Sequence, residues 1–485
     1  MPAKSLALPV EERIFPVAVI SGNALVMKYH KFWEQRNPSN WKEKIGRVPL
    51  ASQQEVDKAS RAASAAQQKW EESSIPERRL VLLTFASVLL RASEDLARTM
   101  ALEIGKPLTL GEAEVRFAAD LLRATARLIG AQTQDSISEV SFRVRRRAGG
   151  VVGILTPWNN PVAIPVGKLA PAIEYGNGVV WKAALQAPRS SLIIYDALCE
   201  AGCPKELVSL LFGDKDTAVA MILEPRIRAV SLTGSGRAGR RVAGLAARRL
   251  KPVQLELGGN NAVIVMPDTD LERAAGELAE SAFSFSGQRC TAPRRFIVHK
   301  KVWKRFEEVL VGSVQALRLG LPLSPATQVG PLISKRKQTA MGRLVKKSLA
   351  AGVRILCGGK IPDSWKEGCW FEPTIVFSPT QASPSVQEES FGPVVVLQVA
   401  RDIIQAVELL NGVPQGLVAS LYSEDRACQE YFLRKAECGV LKLNQTTLGV
   451  SPDAPFGGWK DSGWGPVKHG IWDREFYTRL QTVYG

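Results

Sequence analysis

Histidine is scarce in this sequence: His30, His299 and His469 are the three present among 485 residues, and they lie far apart. That leaves little for a histidine metal cluster or a Cys–His pair, unless folding brings one of them to a cysteine. No C-x-x-C occurs. The seven cysteines (Cys199, Cys203, Cys290, Cys357, Cys369, Cys428 and Cys438) are odd in number and irregularly spaced. Neither a disulfide framework nor a zinc site is expected, and no metal is assigned. Long apolar runs are missing too; stretches such as VLLTFASVLL at 81–90 reach about half a membrane span. The N-terminal MPAKSLALPVEERIF soon carries Glu11 and Glu12, so no secretory signal is read there. Low-complexity tracts and fixed-period repeats are absent as well. A cytoplasmic globular protein is the expectation.

What is present is ordinary in bulk: 45% hydrophobic and 23% charged residues, over a length sufficient for two or three domains. The net charge of +16 favours anionic partners such as nucleotides or acidic metabolites. Its densest run, FRVRRR at 142–147, reads as the exposed face of a strand or loop. No nucleic-acid signature accompanies it, so neither nucleic acid nor a membrane is an expected partner.

Residues 50–130 carry apolar positions at helical spacing, with a serine cap, Pro76 near a first turn, and a stop at Gly105 and Pro107. From about 149 the pattern changes. GGVVGIL, GNGVVWKA, LVSLLFG, IRAVSLT and VQLELGG read as strands separated by helices, which predicts an open parallel sheet. A second β/α alternation starts near 261 and includes NAVIVM, RRFIVH and FGPVVVLQVA. Ligands of such sheets lie beyond the C-terminal ends of the strands.

Four segments carry chemistry there. SLTGSGRAGR sets a G-x-G-x-x-G (Gly234, Gly236, Gly239) between a strand and a helix, suited to a dinucleotide phosphate or simply to a tight turn. LELGG puts Glu256 at a strand end, either as a base in a crevice or as a surface carboxylate. TPWNNP puts Asn159 at another, where its amide serves an oxyanion or merely a turn. SFSGQRCTAPRR holds Cys290 in a turn among arginines; a free cysteine is commonly just a small buried apolar residue.

Taken together, TPWNNP, GNGVVWKAA, SLTGSGRAG, LELGG, GQRC, EESFGPV and APFGGWKDSGWG stand in the order and spacing of the aldehyde dehydrogenase superfamily, which the chain resembles over nearly its whole length. The resemblance implies a Rossmann-like open-sheet cofactor domain (1–127 and 148–257), a second α/β catalytic domain (258–455) and a small β oligomerisation element (128–147 and 471–485). It implies that Cys290 attacks an aldehyde, that Asn159 and the Cys290 N–H hold the oxyanion, and that Glu256 activates water against the thioester. Thr156, Pro157, Trp158, Lys182, Gly234, Ser235, Gly239, Leu257, Glu389 and Phe391 would contact NAD or NADP. Asn160, Arg289, Thr291 and Phe456 would line the aldehyde's path. The partner expected besides the aldehyde is a second copy of the chain, in a homodimer or homotetramer. A CoA-acylating relative, or a non-catalytic binding protein of the same fold, is the alternative.

Departures from the family pattern narrow this. Leu185 stands where many NAD-using relatives have a glutamate on the ribose, so NADP should at least be tolerated. Asn160, Arg289 and Thr291 predict a polar wall and a polar or anionic semialdehyde, though Arg289 equally suits a domain interface. LELGGNNAV with GQRCT resembles the α-aminoadipic semialdehyde branch. NQTTLGVSPDAPFGGWKDSGWGPVKHG resembles the α-ketoglutaric semialdehyde branch, to which the reading leans.

Overall fold

The structure, a computed structural model, describes residues 19–20, 31–128 and 142–484. The helical stretch is four helices, Gln53–Glu71, Ile75–Arg91, Ser93–Ile104 and Leu108–Leu128. Ser74 caps the second by accepting from Glu77 N–H, with Pro76 in its first turn. Gly105 ends the third with a left-handed φ of 71° that a side chain rarely tolerates. A hairpin of Phe32–Asn37 and Asn40–Pro49 precedes them; no sequence pattern had pointed to it.

The first sheet has seven strands. Val151–Leu155 lies between Gly178–Ala183 and Ile227–Thr233, with Val208–Phe212 and Val253–Glu256 outside them, all parallel. Every residue of Val151–Leu155 is buried, as both faces of a covered parallel sheet require. The expected parallel sheet is corrected at its margins, where Val19–Ile20 and Gly463–Trp464 pair antiparallel. The second of these brings residues far along the chain beside Leu255 and Glu256.

The second sheet also has seven strands, with Ala262–Val265 between the middle strand Arg295–His299 and Val418–Tyr422. Alternation sorts its core into two layers. Val263 and Val265 pack with Leu278 and Phe306 on one face. Ala262 and Ile264 pack with Val407 and Phe432 on the other. The helix Lys335–Ala350 and the helices Ile403–Asn411 and Arg426–Lys435 went unread in the sequence.

The arginine run forms Phe142–Ala148, paired antiparallel along its length with Thr478–Tyr484. Its arginines are used locally: Arg145 donates to Gln481 and Arg147 to Glu71. Residues 129–141 of the expected oligomerisation element lie outside the described residues. The fold is thus mixed α/β, built on two open, largely parallel sheets.

At Gly178 the helix Gln53–Glu71 lies directly on the sheet, and an added Cβ would fall 2.6 Å from the Ala63 carbonyl oxygen. Gly178→Ala should therefore lift that helix and cost about 1–3 kcal/mol. A lowered thermal-melting midpoint is the expected readout.

Candidate active site

Three neighbouring strands end at one edge of the first sheet. Leu155 runs into Thr156, Pro157, Trp158 and Asn159; Thr233 into Gly234 and Ser235; and Glu256 closes the third. Gly234 N–H donates to the Glu256 carbonyl at 2.9 Å, which locks the glycine turn to the strand of the glutamate. Ser235 caps the helix Gly236–Ala247 through Ala238 N–H. Gly239 does not reach the cavity; it lies under Leu257, where a Cβ would come 2.5 Å from Leu257 Cδ2. Thr156 is likewise tied down, accepting from Trp181 Nε1 at 2.9 Å.

Cys290 comes to this edge from the second sheet. The helix Leu271–Phe283 gives way to Phe285, Ser286 and Gly287, with φ of 54°, 52° and 63°. Three consecutive left-handed residues are costly and must be over-determined by their surroundings. The Gln288 amide donates to Phe285 O and Pro331 O and accepts from Ile333 N–H. Asn261 donates to Cys290 O at 2.7 Å and to Ala292 O at 2.9 Å, while its own oxygen accepts from Val418 N–H. Cys290 N–H makes no hydrogen bond among the described residues, and neither does the Asn159 amide.

Cys290 lines two cavities at once. One, of about 600 Å³, is walled by Pro157, Trp158, Asn159, Ser235, Glu389 and Phe391. The other, of about 370 Å³, is walled by Asn160, Glu256, Arg289, Thr291 and Phe456. A third, bordered by Thr156, Pro157, Lys182 and Leu185, adjoins the first through Pro157, Trp158 and Gln186. The expected residues other than Gly239 are therefore gathered on one connected surface. Phe391 takes a φ of 41° and meets Trp158 edge-on at 5.9 Å.

The second cavity differs from the expected polar wall. Leu110, Phe117, Leu121, Leu448 and Val450 give it an apolar side that no motif signalled. Lys106 also enters it, ion-paired to Glu114 and donating to Asn160 Oδ1 at 2.8 Å. Glu114 in turn accepts from Val162 and Ala163 N–H at the start of the helix Ala163–Glu174. Arg289 is half-buried in the same wall, and its guanidinium makes no ion pair or hydrogen bond among the described residues. Folding does bring one histidine near: His469 lines the cavity, but burial, with Lys468 and Lys168 close by, holds its imidazole neutral.

Burial pushes the Cys290 thiol up; Lys468 opposes this, while Glu256 and Glu389 add to it. Burial likewise raises the Glu256 carboxyl against the pull of Lys468 and Lys168. Lys182 is pushed down to about 8 by burial, with Asp214 opposing. The residues fit a dinucleotide. Glu389 Oε1 and Thr233 Oγ1 are buried polar atoms without a partner among the described residues. Glu389 Oε2 lies where a Cβ on Gly258 would fall 2.0 Å away. Such groups, held open at a wall, suit ribose hydroxyls. Among the described residues no cluster of His, Cys, Asp and Glu is placed to hold a metal ion.

The sequence profile of the Aldehyde dehydrogenase family matches residues 25–483. The chain belongs to that family. This aldehyde dehydrogenase is 32% identical to the alpha-ketoglutaric semialdehyde dehydrogenase of Bacillus subtilis (strain 168), over 92% of its own length and 93% of the relative's. It is 34% identical to the NADP(+) succinate-semialdehyde dehydrogenase of Mycobacterium avium (strain 104), over 81% and 84%. Among solved structures, a mutant of aldehyde dehydrogenase C from Pseudomonas syringae, complexed with NAD+ and octanal, superposes with a TM-score of 0.92 at 29% identity, covering 96% of each chain. The enzyme is thus an NAD(P)-dependent aldehyde dehydrogenase. No helix among its described residues is long and apolar enough to cross a membrane.

Asn261→Asp removes both donors that hold the Cys290 and Ala292 carbonyls. In this aldehyde dehydrogenase it should lower kcat about 10- to 100-fold by misplacing the loop of Cys290. Cofactor affinity, measured by fluorescence titration, should stay within about twofold.

Proposed function

We propose that the enzyme oxidises a semialdehyde, a short aldehyde ending in a carboxylate, through a covalent adduct on Cys290. The observation that carries this is the position of Cys290, shared by a cavity with dinucleotide features and a cavity holding Glu256 and Arg289. The thiolate adds to the aldehyde carbon. The resulting oxyanion takes hydrogen bonds from the unengaged Asn159 amide and Cys290 N–H. Glu389, Lys182 and the Gly234–Ser235 turn would hold the dinucleotide, with Trp158 and Phe391 beside it. When bound, its nicotinamide supplies the hydride acceptor that makes the adduct a thioester. Glu256 then takes a proton from water as the water oxygen bonds the thioester carbon. The C–S bond breaks, and acid and thiolate part.

Arg289 gives the substrate class. A guanidinium left without a partner in a cavity wall is costly unless an anion visits it. The apolar Leu110–Phe117 side suits the methylenes between aldehyde and carboxylate. The semialdehyde names of the two relatives support the same reading. Either NAD or NADP is accepted: Leu185 offers no carboxylate to repel a 2′-phosphate, and Lys215 and Arg241 border the same cavity as Lys182. We also infer a homo-oligomer, a dimer or a tetramer. The ribbon of Phe142–Ala148 and Thr478–Tyr484 has no further strand partner among the described residues and leaves Leu480 and Tyr484 exposed.

An aldehyde panel with each cofactor tests the reading, with reduced cofactor followed by absorbance. Cys290→Ala should abolish turnover. Arg289→Ala should raise KM for succinic semialdehyde about tenfold or more, the loss of a charge-assisted hydrogen bond, and leave propanal unchanged. Equal effects on both aldehydes would reject the anionic substrate, and a product formed only with CoA would reject hydrolysis. Separately, Arg241→Leu should raise KM for NADP about tenfold and that for NAD by less than about twofold.

A further inference from the structure

Lys468 stands in a quoted segment without a role of its own, yet it lines the cavity of Glu256 and Cys290. It forms an isolated antiparallel bridge with Phe456, whose N–H donates to Lys468 O at 2.9 Å and whose carbonyl accepts from Lys468 N–H at 3.0 Å. The bridge aims the side chain. Its Nζ lies 4.9 Å from the centre of the Phe456 ring and 4.0 Å from Glu256 Oε2. Both side chains of that ion pair are almost entirely buried, 9% and 5% exposed. The ammonium makes no hydrogen bond among the described residues, so its compensation is electrostatic.

The separation matters. At 4.0 Å the pair attracts without a hydrogen bond. Glu256 keeps its lone pairs free to take a proton from water. The other charged and titratable groups nearby are Lys168, Asp473, His469 and Cys290, with Glu389 and Arg294 also acting on Cys290. Lys168 is committed to Ser231 Oγ at 2.6 Å, and Asp473 accepts from His469 N–H at 2.9 Å. Lys468 is the cation that acts most on both Glu256 and Cys290.

We propose that Lys468 is a positioning residue for thioester hydrolysis: its ammonium holds Glu256 as a carboxylate and lets that carboxylate and the Cys290 thiolate share one cavity. This rests on the roles assigned above to Cys290 and Glu256. When water adds and its proton passes to Glu256, the sulfur leaves as an anion into the field of Lys468. One cation thus serves the base before the step and the leaving group after it.

The test uses the full-length enzyme with NAD and propanal, which lacks a tail for Arg289. Lys468→Met should keep the first-turnover burst of reduced cofactor and lower steady-state kcat about tenfold or more. Loss of the cation raises the Glu256 carboxyl, so the acid limb of kcat should move up by about one pH unit. The inflection of Cys290 alkylation by iodoacetamide, followed by mass spectrometry, should move up too. Lys468→Arg should restore both inflections. If both stay in place in Lys468→Met, or if Lys468→Arg behaves like Lys468→Met, the proposal is overturned. Lys468→Gln carries the same comparison if circular dichroism shows that the methionine variant does not fold. Glu256→Gln separates the two levels. Should it retain kcat and its acid limb, the assignment of the base fails. Should it lose the limb while Lys468→Met leaves it in place, the base stands and the role of Lys468 falls.

Discussion

The active site depends on one side chain that does no chemistry. Asn261 sits immediately before the inner strand Ala262–Val265 of the second sheet, and its amide holds the carbonyls on both sides of Thr291. Its own oxygen is held by Val418 N–H on the neighbouring strand. A loop with three left-handed residues would otherwise relax, and the sulfur would drift from the cleft between the sheets. Gln288 and Gly287 make the same hold from the other side. A side chain on Gly287 would lie 2.7 Å from Ala282 O and 2.8 Å from Gly392 O. The Cys290 sulfur is thus placed by a fixed backbone beside a rigid sheet, as a group held for a short reaction distance would be.

Around that fixed point the cavity accumulates buried charge. Glu256, Lys468, Lys168 and Asp473 are all nearly excluded from water. Such groups are costly singly and more tolerable as a set, because the carboxylates offset the two lysines, which themselves repel each other. Lys106 and Glu114 repeat the device at the other wall, where Glu114 also caps a helix.

Much of this was legible in the sequence. Apolar strand runs ending in Asn159, Gly234 and Glu256 announced an open sheet with a working edge, because backbone periodicity and glycine turns are local properties. Cys290 became legible through its order after those three. Lys468, Lys106 and Asn261 were not, although Asn261 and Lys468 stood inside quoted segments. Each acts on a residue far away in sequence, and nothing local distinguishes a buried lysine from a solvated one. Phe32–Pro49 was missed for a similar reason: its alternation is mixed with charges, and half its faces are exposed. Gly239 was read as a cofactor contact from its place in the motif; in the structure its missing side chain makes room for Leu257.

The antiparallel pairing of Gly463–Trp464 with Leu255 and Glu256 has a consequence for biogenesis. Ribosomes make Glu256 and Cys290 long before the segment that walls them in. Until that segment docks, the sheet edge is open and Lys468 is missing from beside the carboxylate. The buried setting of Glu256 is completed only when a contact between distant parts of the sequence closes, one of the slower kinds of event in folding.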